Sequence, residues 1–312
     1  MKKIVVTGGA GMVGQNLIPL LIKKQYLVIA LDKNKNNLYL LKELNPDVEI
    51  CLCDLSKTGN WQKLFSGAYA VVDLKAQIAS KQESLFYKNN IKAQKNILQA
   101  CKRHNIGNLV HASSSVVISV GKDHYTKTKT SSELLVHKSS VPHSILRPTL
   151  MYGCFDVKHL GWIASLMEKT PVLPIPGSGR FIRQPLYVID FCNIILRCLD
   201  MKPKNEVYNI VGLEKIAFRK MLDNIAKERK FTCVIVPFPV PLFRLLLKAY
   251  AWMLRRPTIT ADQLDALLAG DEFPVKQWNK TFKVPYTSFK KGIRYMYQSP
   301  NYQHSKRMIS PH

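Results

Sequence analysis

The sequence has no run of ~20 uninterrupted apolar residues, so a membrane-spanning helix is not expected. Its seven cysteines include no C-x-x-C pair. Cys51 and Cys53 alternate on a predicted strand and share one face, which is not the spacing of a zinc clip. No metal is expected, and reduced thiols in a cytoplasmic protein account for the cysteines. The first apolar run begins at Ile4 and leaves no stretch ahead of it for a secretory leader. No internal repeat is present. Acidic residues are scarce: 21 Asp and Glu against 46 Lys and Arg give a formal charge of +25. Such a balance attracts anions, whether dinucleotides, phosphorylated small molecules, nucleic acid or an anionic membrane surface. No basic helix or aromatic platform of the nucleic-acid-binding kind accompanies the charge, so nucleic acid is not an expected partner.

What is present begins with Ile4-Val5-Val6, which meets Thr7-Gly8-Gly9-Ala10-Gly11-Met12-Val13-Gly14 and continues as the helical pattern Leu17-Ile18-Leu20-Leu21-Ile22. A strand that breaks into glycines and becomes a helix sets bare backbone N–H groups and a positive helix end where a pyrophosphate can sit. Gly8 permits the turn, Gly11 lets backbone approach the phosphates, and Gly14 lets the helix pack closely. A second apolar run, Leu27-Val28-Ile29-Ala30-Leu31, ends in Asp32, where a carboxylate can accept both hydroxyls of an adenosine ribose. A plain strand-end turn residue is the other reading of Asp32. Lys33 could meet a 2′-phosphate, but the acid beside it tips the expectation to NAD over NADP.

Strand-like and helix-like blocks alternate through the first half, with strands expected at 48–52, 70–73, 108–112 and 144–146 and helices at 82–104 and 125–138. This implies an α/β fold: a Rossmann-like, doubly wound parallel sheet over residues 1–150. After Pro148 the rhythm breaks into a loop-rich stretch with Pro171, Pro174, Pro176, Gly177 and Gly179. A smaller C-terminal substrate-binding region over 151–298 is expected, with segments returning to the main domain. Residues 299–312 are polar and expected to form a flexible tail.

Tyr125 and Lys129 stand four apart at the start of a predicted helix, on one face. A phenol is a poor acid–base catalyst near neutrality, but a nearby ammonium lowers its pKa. Such a pair could move a proton to or from a substrate oxygen while hydride moves to or from a nicotinamide. Just upstream, Ser113-Ser114-Ser115 ends a strand and offers a hydroxyl for the same oxygen.

Over residues 3 to 212 the chain resembles the extended short-chain dehydrogenase/reductase family, in its nucleotide-sugar epimerase and dehydratase branch. Thr7 to Gly14 is similar to its T-G-x-x-G-x-x-G loop, Asp32 to its ribose-binding acid, and Asp54-Leu55 to the pair that meets the adenine. Asn90 and Asn96 resemble the N-x-x-G-T-x-N helix. Tyr125-x-x-x-Lys129 followed by Glu133 resembles Y-x-x-x-K-x-x-x-E, and Arg147-Pro148 with Tyr152-Gly153 resembles R-P-x-x-x-Y-G. Gly177-x-Gly179, Arg183, Tyr187-Val188 and Asp190 are similar to the segment that closes over substrate.

The resemblance implies catalytic Ser115, with Ser114 second, Tyr125 and Lys129. It implies cofactor contacts from Thr7, Gly8, Gly11, Met12, Val13, Gly14, Asp32, Lys33, Asp54, Leu55 and Lys129, and substrate contacts from Asn90, Arg183 and Tyr187. Arg183 could equally pair with a local carboxylate. A homodimer stays open. The implied activity is NAD(P)-dependent oxidation or epimerisation at a hydroxyl or ketone of a nucleotide sugar or similar anionic small molecule.

Three departures matter. Only ten positions separate Ser115 from Tyr125, so the substrate pocket must be more open or built differently. Asp73-Leu74-Lys75-Ala76 stands where relatives often show His-Leu-Ala-Ala; Lys75 either binds phosphate or turns outward. Val116-Val117 supplies no acid after the catalytic hydroxyl, which excludes sugar dehydration. An amphipathic stretch at 242–256 carries Arg244, Lys248, Arg255 and Arg256 beside a wide apolar face. It reads as a core helix or as a peripheral membrane contact, the latter suiting a sterol-like or lipid 3-hydroxy dehydrogenase. A non-catalytic dinucleotide-binding sensor or subunit is the alternative outside enzymology.

Overall fold

The computed structural model describes the chain except residues 81, 120–122, 231, 254–263, 265–266, 269, 271, 275–277 and 310–312, and of 250–253 it describes the backbone alone. Apolar runs form the strands β1 (Lys3–Thr7), β2 (Leu27–Asp32), β3 (Glu49–Leu52), β4 (Ala70–Asp73), β5 (Leu109–Ala112) and β6 (His143–Pro148). Three short strands and one of five residues follow, β7 (Met151–Tyr152), β8 (Val172–Pro176), β9 (Ile182–Arg183) and β10 (Leu186–Tyr187), before β11 (Glu206–Ile210). The main sheet has seven strands in the order β11-β6-β5-β4-β1-β2-β3, all pairs parallel. This is the doubly wound sheet expected from the sequence; β11, whose polar and part-exposed residues gave no apolar run, was not expected.

Alternation along each strand feeds two cores, as a parallel sheet covered on both faces requires. Ile4, Val6, Val28 and Ala30 face one side with Leu17 and Leu21 of α1 (Met12–Lys23). Val5, Ile29 and Leu31 face the other with Ile97 and Ala100. The segment expected as one helix over 82–104 is α3 (Glu83–Phe86), a π-helical stretch Tyr87–Lys92 and α4 (Ala93–Arg103) in continuous succession. Helix α2 (Lys35–Leu44) follows β2, and α5 (His124–His137) follows β5. Asp123 caps α5 by accepting the Thr126 N–H at 2.7 Å.

In the second region β8 pairs in parallel with Val234–Phe238, over a core shared with Met167 of α6 (Leu160–Lys169). Helix α7 (Val188–Asp200) returns to the main sheet, where its apolar face joins the α1 core. Helix α8 (Phe218–Arg229) and helix α9 (Val240–Met253) lie further along the chain. The tail expected to be flexible is instead docked over 299–309: Asn301–Ser305 is helical and Met308 is buried against Leu40 and Phe155. Its polar residues find partners on α2, which hydropathy alone does not reveal.

Candidate active site

The carboxyl ends of β1, β2, β4 and β5 open on a cavity of about 400 Å³, the position where parallel α/β sheets bind ligands. Gly8, at φ +71°, holds the floor: a Cβ there would stand 2.6 Å from the Lys75 nitrogen. At Gly14 a Cβ would stand 2.1 Å from the Gly9 carbonyl, so α1 can press onto the loop only without one. Gly11 occupies the N-cap and has no side chain to cap the helix. The first-turn amides of α1 therefore face the cavity as anion donors. Gly8, Gly11, Met12 and Val13 line it. Thr7 and Gly14 do not: Thr7 is fully buried and donates its hydroxyl to Asp73 at 2.7 Å, supporting the loop from behind.

Asp32 lines the cavity beside Lys33 and Asn34. Its carboxylate accepts the Ala10 N–H at 3.1 Å and the Asn34 N–H at 2.9 Å, which ties β2 to the glycine loop. Burial raises its pKa against those donors. Asp54 and Leu55 also line the cavity. Burial works against the Asp54 charge, but Ser56 and the Lys88 ammonium at 3.0 Å outweigh it and hold the pKa at about 2. Asn96 donates to the Leu55 carbonyl at 2.9 Å, so it sets this turn in place.

Ser113, Ser114, Ser115, Val116 and Tyr125 line the same cavity. Ser114 accepts the Val116 N–H at 3.4 Å, and Ser113 donates to Glu133. Glu133 is in turn bound by Arg147, whose Nε lies 3.0 and 3.1 Å from its two oxygens. The Glu133 and Arg147 motif positions thus form a bracket that fixes the serine strand end against α5. Burial raises the Tyr125 pKa, with Asp123 adding to it and Ser114 opposing. The sequence spacing predicts the opposite, a phenol acidified by Lys129. In the structure Lys129 is buried and donates its Nζ to the Ala112 carbonyl at 2.8 Å. Burial and the neighbouring Lys75 pull the Lys129 pKa down to about 7.

Two expected substrate contacts lie elsewhere. Asn90 is buried and spends its amide on Gln77 and Thr128, accepting the Gln77 N–H at 2.7 Å and donating to the Thr128 hydroxyl at 3.0 Å. Tyr187 is buried against Tyr152, their ring centroids 5.5 Å apart, and is a core residue. Arg183 does line the cavity, with Lys158 and His159. Burial and Lys33 lower the Lys158 pKa to about 8.

Lys75 neither turns outward nor projects free toward a phosphate. It is buried, 3.4 Å from the Asp73 carboxylate and 2.6 Å from Gln94 Oε1. Asp73 also engages His111 Nδ1 at 2.8 Å. Burial alone would raise the Asp73 pKa; Lys75, His111 and Thr7 hold it well below the ordinary carboxylate range. The sequence signal for this cluster was a lysine in an otherwise apolar strand end. Lys158 and Met308, which also line the cavity, carried no such signal.

Comparison with known proteins gives the family and the fold. The model of the family described as NAD dependent epimerase/dehydratase matches residues 4–211. A putative UDP-glucose 4-epimerase of Methanocaldococcus jannaschii is 28% identical over 262 residues, 73% of this chain and 83% of that protein. The Schizosaccharomyces pombe sterol-4-alpha-carboxylate 3-dehydrogenase erg26, decarboxylating, is 27% identical over 327 residues, 94% of this chain and 96% of that protein. The crystal structure of the Bacillus cereus UDP-glucuronic acid 4-epimerase in complex with NAD shares the fold. It superposes with a TM-score of 0.72 at 23% identity and covers 98% of this chain and 97% of that one.

Proposed function

The chain belongs to the NAD-dependent epimerase/dehydratase family, and on that premise we propose that it binds NAD and works on a hydroxyl or ketone of a nucleotide sugar or similar anionic small molecule. The observation that carries this reading is one cavity lined by Ser114, Ser115, Tyr125 and Asp32 at the uncapped start of α1. The residues fit a dinucleotide: first-turn amides for the pyrophosphate, the Asp32 carboxylate for an unphosphorylated ribose, and a Gly8 position that admits no side chain. When bound, the nicotinamide supplies the acceptance and return of hydride.

The chain's own residues manage the proton. Burial raises the Tyr125 pKa, so the phenol is set to give a proton to a ketone oxygen, and taking a hydroxyl proton in the oxidative direction requires its phenolate. Ser114 opposes the rise in the phenol's pKa, and both Ser114 and Ser115 line the same space. Lys129 is buried with its amine on the Ala112 carbonyl and does not line the cavity. The acids lining the cavity are Asp32, Asp54 and Asp156, and Asp156 is spent on the first turn of α6, accepting the Gly161 N–H at 3.0 Å and the His159 N–H at 2.9 Å. Among the described residues no lining carboxylate follows the serines to remove a carbon-bound proton, which favours epimerisation or net oxidation over dehydration.

A second reading takes a lipid hydroxyl as substrate. Leu242, Leu245 and Leu246 on α9 are 48%, 61% and 53% exposed, an apolar stripe suited to a bilayer surface. The erg26 relative spans nearly the whole chain. A thermal-shift screen over nucleotide sugars, sterols and phosphorylated metabolites, followed by nicotinamide fluorescence during turnover, separates the readings. Turnover of a UDP-sugar with wild-type protein supports the first and turnover of a sterol alcohol the second. NAD binding without turnover of either class supports a sensor and overturns both.

A further inference from the structure

The last described residues of the chain do not trail into solvent. They cross the cavity's far end, where Met308 lines it together with Asp32, Lys33, Asn34 and Asn37. The Ile309 backbone exchanges two hydrogen bonds with the buried Asn37 side chain: its N–H donates to Oδ1 at 2.8 Å and its carbonyl accepts from Nδ2 at 2.7 Å. One residue pair earlier, Arg307 grips the Glu43 carboxylate with both arms of its fork, at 2.7 and 2.6 Å. These contacts fasten the segment to α2, which begins just beyond Asp32.

The same segment holds the opposite wall. Ser305 Oγ accepts the Phe155 N–H at 2.7 Å. Phe155 sits at φ +66°, a left-handed conformation that a bulky side chain keeps only where its surroundings fix it. Met308, Phe155, Cys154 and Leu40 pack in one buried cluster. Phe155, Val157 and Lys158 all line the cavity, as Asp32 does.

We infer that residues 301–309 are a working part of the dinucleotide site, a strap that fastens the 154–158 wall to α2 and preforms the pocket for the adenosine end. This rests on the dinucleotide reading given above. A wall fixed in advance spares the ligand the cost of ordering it, so the strap acts on affinity with no change in the phosphate or ribose contacts.

Titration calorimetry of NAD and ADP-ribose tests this on wild type, on a chain ending at Lys306, and on Arg307→Glu with and without Glu43→Arg. Truncation is expected to weaken both ligands about tenfold, the size of one or two lost anchoring interactions. Arg307→Glu should weaken them in part, and the added Glu43→Arg should restore them. Neither Arg307 nor Glu43 lines the cavity, so a direct ligand contact cannot produce that rescue. Equal affinities for wild type and the truncated chain overturn the strap. Should truncation prevent folding, equal affinities across wild type, the single variant and the swap do so. A wild type that binds neither ligand overturns the dinucleotide reading instead.

Discussion

The Lys75 ammonium lies 3.4 Å from the Asp73 carboxylate, both side chains buried beneath the glycine loop. Removing one partner of such a pair strands the other charge, and Thr7 and His111 only partly compensate Asp73. Lys75→Met should therefore destabilise the fold by about 3 kcal/mol, at the low end for a broken buried pair. Adding Asp73→Asn should recover much of the loss. Urea unfolding of the single and double variants measures it; additive losses would mean that the two residues are not coupled.

Ser114, not Ser115, is the serine that favours ionisation of the Tyr125 phenol. Tyr125→Phe should cut turnover by about 10²–10⁴-fold while leaving NAD affinity nearly unchanged, because only the hydroxyl goes. Ser114→Ala should cost more in kcat than Ser115→Ala. The reverse order in steady-state kinetics would return the role to Ser115.

Asp32 faces the cavity with its carboxylate already tied to the Ala10 and Asn34 amides. A rigid anion at that position disfavours a 2′-phosphate, so wild type should bind NAD more tightly than NADP, and Asp32→Ala should narrow the gap. Lys33 and Lys158 stand nearby to take up the phosphate once the acid is gone. Fluorescence titration of both cofactors decides it, and a wild-type preference for NADP would refute the assignment.

Much of this site was legible in the sequence because its parts are local. The glycine loop, Asp32 and the Tyr125–Lys129 spacing each lie within a single strand–turn–helix, where period and turn chemistry carry the information. Asn90 misled because its motif position is buried by the turn at Gln77, a contact thirteen residues away. Helical spacing sets Lys129 beside Tyr125, yet its amine bonds the Ala112 carbonyl seventeen residues upstream and it does not line the cavity. The strap could not be read at all: polar residues with no periodicity look frayed until their partners on α2, more than 260 residues away, come into place.

Lys129 should leave a signature in stability as well as rate. Its pKa falls from the ordinary 10.5 to about 7 in the folded chain, mainly through burial. Between those two values the unfolded chain binds the extra proton, so the contribution of Lys129 to stability rises with pH from about 7 to 10.5 and is flat outside that window. Lys129→Met removes this slope. The variant should therefore gain thermal stability relative to wild type most at and below pH 7 and progressively less above it. A pH-independent difference in melting temperature would show that Lys129 stays charged on folding.

The exposed face of α9 sets the last expectation. Leu242, Leu245 and Leu246 follow helical spacing and remain about half exposed, while Leu247, one position on, is 7% exposed and packs inward. The core-helix reading of this segment thus holds for one face only; Arg255 and Arg256, expected to give it a basic end, lie outside the described residues. If the leucine stripe meets a bilayer, the protein should co-sediment with vesicles containing anionic lipid, and salt should weaken the association by screening the attraction of Lys248 and the wider positive charge. Replacing the three leucines by Ser should abolish sedimentation at a stability cost near that of surface changes, roughly ±0.5 kcal/mol each. A buried leucine would instead cost about 2–5 kcal/mol on truncation. Absence of vesicle binding by wild type would remove the observation that favours a lipid alcohol and leave the nucleotide sugar as the substrate to pursue.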